Sequence, residues 1–288
     1  MMTTALGLGI DALAYGMVLF IISIGLSVMM GLMRVVNLAH GAFAMVGGYL
    51  ASHAMARLGL GFAPALALAV GGTVALALPL EALLFRRLYG APELTQVLLT
   101  IGLTFCIIGL ANWWFGPTVK TIPLPPAISG PVDLGFRTLP AHRLFLIACG
   151  LAVAGGLYLL VERTGFGVLL RAAVDNAGMA AALGVRTERI YALTFALAVA
   201  LGAFGGVVGA EILPIEPYYA LRYMVTFLVV VSVGGAGSIP GALLAALSLG
   251  LVDTVGRYLA PNLGEFFFYL AVIVIVCLFP RGLLGRPA

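Results

Sequence analysis

The chain has 288 residues, of which 62% are hydrophobic and only 9% charged, with a mean hydropathy of +1.16. A soluble domain carries about 25% charged residues, so a water-soluble globule of this length is excluded and lipid is expected as the main solvent. The net charge of +4 comes without a Lys/Arg-rich run interleaved with aromatics, which argues against a nucleic-acid partner.

A bilayer core takes about 20 apolar residues per helix, and unpaired backbone is not tolerated there, so spans must be helical. In chain order the apolar runs are Asp11–Met33, Val36–Ala56, Gly61–Phe85, Leu94–Phe115, Arg143–Val161, Ile190–Ala210, Arg222–Val233, Ile239–Leu259 and Glu265–Pro280. Val36–Ala56 carries Asn37 and His40 early and Gly47-Gly48 in its middle, and Arg222–Val233 is short and stops at Gly234-Gly235. Eight or nine segments therefore fit, some of them broken or re-entrant. No polar stretch is long enough for a soluble domain, so residues 1–288 are expected to form one all-α transmembrane bundle. No cleavable signal peptide is expected, because the first apolar run is too long and lacks a basic flank.

Two connections stand out. Residues 116–142 hold Pro117, Pro123, Pro125, Pro126, Pro131 and Pro140, which remove backbone donors and predict a non-helical cap. Residues 162–189 lack proline, and Leu169–Leu183 reads as one short helix outside the lipid. With nine alternating spans, Arg34, Arg86, Arg87, Arg163, Arg171, Arg186, Arg189, Arg281 and Arg286 share one side. Arg57, Lys120, Arg137, Arg143, Arg222 and Arg257 share the other. Nine against six places the first side, the 162–189 connection and the C-terminal tail in the cytoplasm.

The sequence has no GxxxxGK[ST] phosphate loop, and Lys120 is its only lysine, so ATP is not bound by that mechanism. Asp253 and Arg257 sit four apart and Glu81 precedes Arg86 by one turn; both read as local pairs that snorkel to the interface. The cysteines Cys106, Cys149 and Cys277 and the histidines His40, His53 and His142 lack metal-ligand spacing. A lone Ser238 after glycines makes a poor nucleophile signature without a strand–turn–helix context, and Gly237 to Gly241 fits a turn between helices better. Arg34, Asn37 and His40 at spacings of three fall on roughly one helix face, with Gly41 allowing a bend or a close contact. Two readings stand: a half-helix lining a pathway, or an interhelical hydrogen bond. Glycine-interrupted stretches recur at Asn37–Gly48 and Gly234–Gly241, a pattern that marks either a transport path or simple helix packing. Gly234, Gly235, Gly237 and Ser238 join Asn37, His40 and Gly41 as pathway or hinge candidates.

Four stretches carry a family resemblance: Gly31-Leu-Met-Arg-Val-Val-Asn-Leu-Ala-His-Gly-Ala; Glu162-Arg-Thr-Gly-Phe-Gly-Val-Leu-Leu-Arg-Ala-Ala-Val-Asp-Asn continuing to Ala181-Ala-Leu-Gly-Val; Val233-Gly-Gly-Ala-Gly-Ser-Ile-Pro-Gly-Ala; and Phe279-Pro-Arg-Gly-Leu-Leu-Gly-Arg. The chain resembles the permease subunits of bacterial branched-chain amino acid ABC importers. The resemblance implies a bacterial inner-membrane protein that translocates leucine, isoleucine and valine. It implies a second related permease, two cytoplasmic ATPase subunits that bind the ATP, and a periplasmic substrate-binding protein. This chain would need no cofactor of its own. Relatives that move urea, short amides or sugars keep the substrate open, as does a stand-alone channel. The resemblance makes Leu169–Val185 a coupling helix docking on an ATPase, with Arg171, Ala172, Asp175, Asn176, Ala180, Ala181, Gly184 and Val185 as contact candidates. Alanines at 172, 173, 180 and 181 suit close docking, and Arg171 and Asp175, four apart, are placed to orient the helix.

Overall fold

In lipid the chain must satisfy its own backbone, and the elements follow from that demand. The structure is a computed structural model that describes residues 2–133, 135, 138–279 and 282–284. Its helices are α1 (Met2–Val28), α2 (His40–Leu58), α3 (Phe62–Leu83), α4 (Glu93–Phe115), α5 (Pro126–Ser129), α6 (Ala141–Arg163), α7 (Gly165–Asp175), α8 (Ala177–Ala182), α9 (Thr187–Val208), α10 (Tyr219–Gly234), α11 (Ile239–Leu259) and α12 (Gly264–Leu278). A π-helical turn, Met29–Met33, extends α1. Six of the helices are long and apolar enough to span a bilayer, and α10 and α12 are shorter apolar helices. The protein is a multi-pass membrane helix bundle.

The centre of the bundle is α1. Its apolar stretch is 89% buried, against 22–28% for α3, α4 and α6. Helix α1 therefore sees protein, and the other three turn most of their surface outward from the bundle. Around it stand α6, α9, α10 and α11, with α2 and α3 packed on α9. Small residues let these backbones approach. A Cβ on Gly206 of α9 would strike the Ala44 backbone of α2. One on Gly47 would lie 2.7 Å from Ala203 Cα, and one on Gly250 of α11 would lie 2.8 Å from Gly16 Cα of α1. Some hydroxyls within spans bond to their own helix, as Thr73 does to the Ala69 carbonyl at 2.7 Å and Thr194 to Ile190 at 2.7 Å.

Several elements differ from the sequence expectation. Helix α1 begins at Met2, nine residues before Asp11, because Asp11 pairs with Arg143 of α6 and need not end the span. Helix α2 starts at His40 rather than Val36, and it runs unbroken through Gly47-Gly48, which serve packing. The proline-rich connection is not wholly non-helical. Pro126 starts one helical turn, where its missing N–H costs nothing. Two strands, β1 (Pro131–Asp133) and β2 (Thr138–Pro140), then pair antiparallel, Val132 opposite Leu139. Glu81 does not snorkel. It is 1% exposed and accepts from Tyr89 Oη at 2.8 Å and from Arg86 at 3.4 Å. Arg86 also reaches Glu188 at 3.0 Å, tying α3 to the start of α9. Burial and the Glu81 carboxylate together push the Tyr89 phenol pKa up.

The two ends of the bundle differ in charge. The α3–α9 tie gathers Arg86 and Arg87 at the end that holds Arg34 and α7. At the opposite end Ser52 of α2 donates to Thr121, Lys120 bridges to Ile215, and His142 pairs with Glu211 at 2.9 Å. Arg137, Arg281 and Arg286 lie outside the described residues.

The packing predicts a contrast between two glycines. Gly206→Val must displace the α2 backbone and should destabilise by about 1–3 kcal/mol, the usual cost of overpacking. Gly71→Ala in α3 meets nothing within 4 Å and should melt at or above the parent temperature. Thermal unfolding of the two variants in detergent checks this; equal melting points would refute the close α2–α9 contact.

Candidate functional site

The chain leaves helical geometry between α1 and α2. In the π turn Met29–Met33 the Arg34 N–H reaches the Met29 carbonyl, and Arg34 itself takes the left-handed conformation with φ 53°. It is the one non-glycine residue with positive φ among those described. Residues 35–37 then run without secondary structure before α2 begins. Arg34, Asn37 and His40 consequently do not share a helix face, a correction to the spacing argument, because no helix connects them.

A break at this depth strands main-chain donors, and α4 supplies their acceptors. Gln96 Oε1 accepts from Val36 N at 2.8 Å, and Thr100 Oγ1 accepts from Leu38 N at 3.2 Å. The other end of the Gln96 amide donates to the Ala91 carbonyl at 3.0 Å, which fixes its orientation. Thr100 and Thr104 donate back to Gln96 O and Thr100 O, both at 2.8 Å. Sequence reasoning missed these residues. The available signal was a polar i, i+4, i+8 stripe (Gln96, Thr100, Thr104) in an otherwise apolar span, which puts all of them on one helix face.

Asn37 is fully buried. Its Oδ1 accepts from Ala39 N at 3.0 Å, an Asx turn that starts α2, and its Nδ2 donates to Met29 Sδ at 3.4 Å. His40 is 1% exposed. Its Nε2 lies 2.8 Å from the Ile22 carbonyl of α1, which can only accept, so Nε2 donates. Space for the ring comes from Gly25 and Gly202, whose Cβ atoms would lie 2.7 and 3.1 Å from His40 Cε1. The Nδ1 atom has no partner, nor do Ser23 Oγ, Tyr49 Oη and Tyr219 Oη inside the bundle. Gly41 lies within unbroken α2 and makes no bend, and a Cβ there would sit at an ordinary 3.4 Å from Ala220 of α10.

The second glycine stretch meets the end of α1 at Gly31 rather than the first stretch. Gly235 and Gly237 adopt φ 90° and 80°, open to glycine alone without strain. A Cβ on Gly31 would collide with Gly237, whose N–H donates to Ser27 Oγ at 3.1 Å. Gly234 packs against the start of α11, its would-be Cβ 2.7 Å from Ala242 Cα. Ser238 is the N-cap of α11, accepting from Gly241 N at 3.1 Å, so its hydroxyl serves the turn. Gly282–Leu284 fold back onto this turn, with Leu283 N donating to Val233 O at 2.7 Å. Pro280, Arg281, Gly285 and Arg286 of the fourth stretch lie outside the described residues.

The 162–189 connection docks beside the break. It contains two helices rather than one, because Asn176 leaves the helix and caps α8 through Oδ1 to Met179 N at 2.9 Å. Leu170 and Ala173 of α7 are buried against Val28 and Leu32 at the end of α1 and Ile190 of α9. Ala180 also faces inward, whereas Ala172, Ala181, Ala182, Asp175 and Gly184 are exposed and Val185 half-buried. The connection exposes large apolar side chains among its polar ones: Val168, Leu169, Met179 and Leu183 are 40–79% exposed. Arg171 does not pair with Asp175. It donates to the Val161 carbonyl at 2.8 Å and reaches Glu162 at 3.5 Å, fastening α7 to α6.

Apolar spans wrapped around a central helix that ends in a π turn, with the short helices α7 and α8 packed beside that end, define a polytopic membrane transport component. Residues 9–277 match the family described as branched-chain amino acid transport system / permease component, and the chain belongs to that family. It is 28% identical over 291 residues to the high-affinity branched-chain amino acid transport system permease protein BraD of Pseudomonas aeruginosa, covering 96% of this chain and 95% of the relative. It is 26% identical over 283 residues to the corresponding permease protein LivH of Escherichia coli K12, covering 93% and 91%. It is also 30% identical over 172 residues to the autoinducer 2 import system permease protein LsrC of Salmonella paratyphi B, covering 57% and 47%. No solved structure matches significantly.

The α4 clamp predicts that Gln96→Leu strands Val36 N–H. A fully buried donor without a partner costs about 1–3 kcal/mol, and half-buried Val36 should lose less than that. Amide exchange at 35–38 should quicken and the melting point fall, while Thr73→Val, which removes only a bond within α3, should leave that exchange unchanged. Identical exchange in both variants would remove α4 from the account.

Proposed function

We propose that this chain is a permease subunit of an ABC importer that carries leucine, isoleucine and valine across a bacterial inner membrane. ATP is hydrolysed on two separate cytoplasmic ATPase subunits. A second related permease completes the pathway and a periplasmic binding protein delivers the substrate. One observation carries this reading. The broken end of α1, the α7–α8 pair, the Gly234–Gly237 turn and the returning Gly282–Leu284 meet at one end of the bundle. A nucleotide-driven push on α7 acts on Val28 and Leu32 at the weakest point of the central helix. The break, with Asn37 and His40, is then the hinge, and the unpartnered polar atoms inside the bundle suit a hydrated path. The large apolar side chains exposed on α7–α8 need a partner, since helices this short are marginal alone in water. An ATPase surface supplies one. The arginine-richer end faces the cytoplasm, as the positive-inside rule requires. The partial likeness to an autoinducer 2 permease favours, as a second reading, another small solute.

Ala181 is exposed on α8, and Ala181→Glu should detach the ATPase and abolish uptake of labelled leucine while the spans stay folded. Thr121→Glu, on the 116–140 connection, should leave ATPase co-purification intact. Normal assembly and uptake in Ala181→Glu would remove α8 from coupling. The orientation has its own check. In a background lacking Cys106, Cys149 and Cys277, a cysteine replacing Asn176 should resist a membrane-impermeant reagent added outside intact cells. Labelling from outside would invert the topology.

A further inference from the structure

At the end of the bundle opposite the break lies a cavity of about 720 Å³, within the range of small-molecule sites. Its walls come from α1, α10, α11, α12 and the turn after α9. The wall carries both charges. Asp253, 5% exposed and more than a turn inside the end of α11, accepts from Arg257 Nε at 2.8 Å. Arg222, held by Glu216 at 2.8 Å, faces the same space. Leu213 and Phe268, 3% and 4% exposed, form the apolar part. Tyr15 adds a hydroxyl from α1.

We infer that this cavity binds a free α-amino acid as its zwitterion, with an aliphatic side chain against Leu213 and Phe268. The choice of aliphatic side chain rests on the transport reading above; the zwitterion rests on the cavity itself. Asp253 is the buried charge of the cavity, while Arg257 and Arg222 present 53% and 62% of their side chains to its open side, so a ligand meets one buried anion and two accessible guanidinium groups. A lone anion would answer only the guanidinium groups and repel Asp253. A lone cation would do the reverse. An amino acid places its ammonium on Asp253 and its carboxylate on the guanidinium donors of Arg257 and Arg222, which suit carboxylate geometry. Neither protein charge must leave its present partner, because a carboxylate has several acceptor sites and a guanidinium five donors.

The test is equilibrium binding of labelled leucine to the full chain in nanodiscs without the binding protein, beside uptake by the assembled system. Wild type should bind saturably. Isovalerate, which lacks the amine, and leucinamide, which lacks the carboxylate, should compete at least ten-fold more weakly than valine. Asp253→Asn should weaken binding at least ten-fold with unchanged elution on gel filtration. The double variant Asp253→Asn/Arg257→Gln removes both charges of that pair and should bind as poorly, again with unchanged elution on gel filtration. Leucine binding unaltered in both variants would overturn the inference, even if uptake fell, since the cavity would then serve contact with another protein. No saturable binding by wild type, with leucine uptake intact, would also overturn it while leaving the transport reading. Binding to the chain with no uptake of neutral amino acids by the system would do the opposite.

Discussion

The main-chain N–H groups of half-buried Val36 and buried Leu38 have no helix to receive them. Everything around the break answers that constraint. Gln96 and Thr100 lend side-chain acceptors from α4. Asn37 turns its own oxygen onto the start of α2. A non-helical connection between α1 and α2 is tolerated because protein side chains answer its main-chain groups, beside the most buried span, α1.

The same packing makes the break a meeting point. Elements from all quarters of the sequence pack there: the α1 terminus, the α7–α8 pair, the α10–α11 turn and the residues after α12. A packed junction that also contains a π turn and unpaired polar atoms has fewer bonds to lose on rearrangement than an unbroken helix. That is where a bundle otherwise rigid by close glycine contacts can change shape, and the charged cavity at the other end shares α1, α10 and α11 with it. A movement of those helices would be felt at both ends.

Much of the fold was legible in hydropathy alone. The apolar runs return as helices, Ile239–Leu259 residue for residue, because lipid permits little else. The break before His40 was signalled by polar residues in an apolar run. What failed was local geometry. Periodicity assumed a helix through Arg34, whose left-handed backbone has no signature in an arginine. The Asn176 cap that splits α7 from α8 competes with helix propensity in a run of alanines, which outweighed it on paper. The partner of Arg171 was misjudged because spacing sees only one helix, whereas the residue reaches back to α6. The Gly31–Gly237 contact is beyond any short-range argument. Sequence placed the glycine echo at Asn37–Gly48, and the residue that meets Gly237 is Gly31, six residues before that stretch begins.

The crossing of Gly31 with Gly237 has a consequence for how this protein can vary. At most tight contacts an enlarged side chain on one surface can be relieved by a smaller one opposite. Here both sides are already glycine, and Gly237 additionally needs its positive φ. No second-site replacement can restore the lost space, so genetic suppressors of a change at either position would have to act by shifting whole helices.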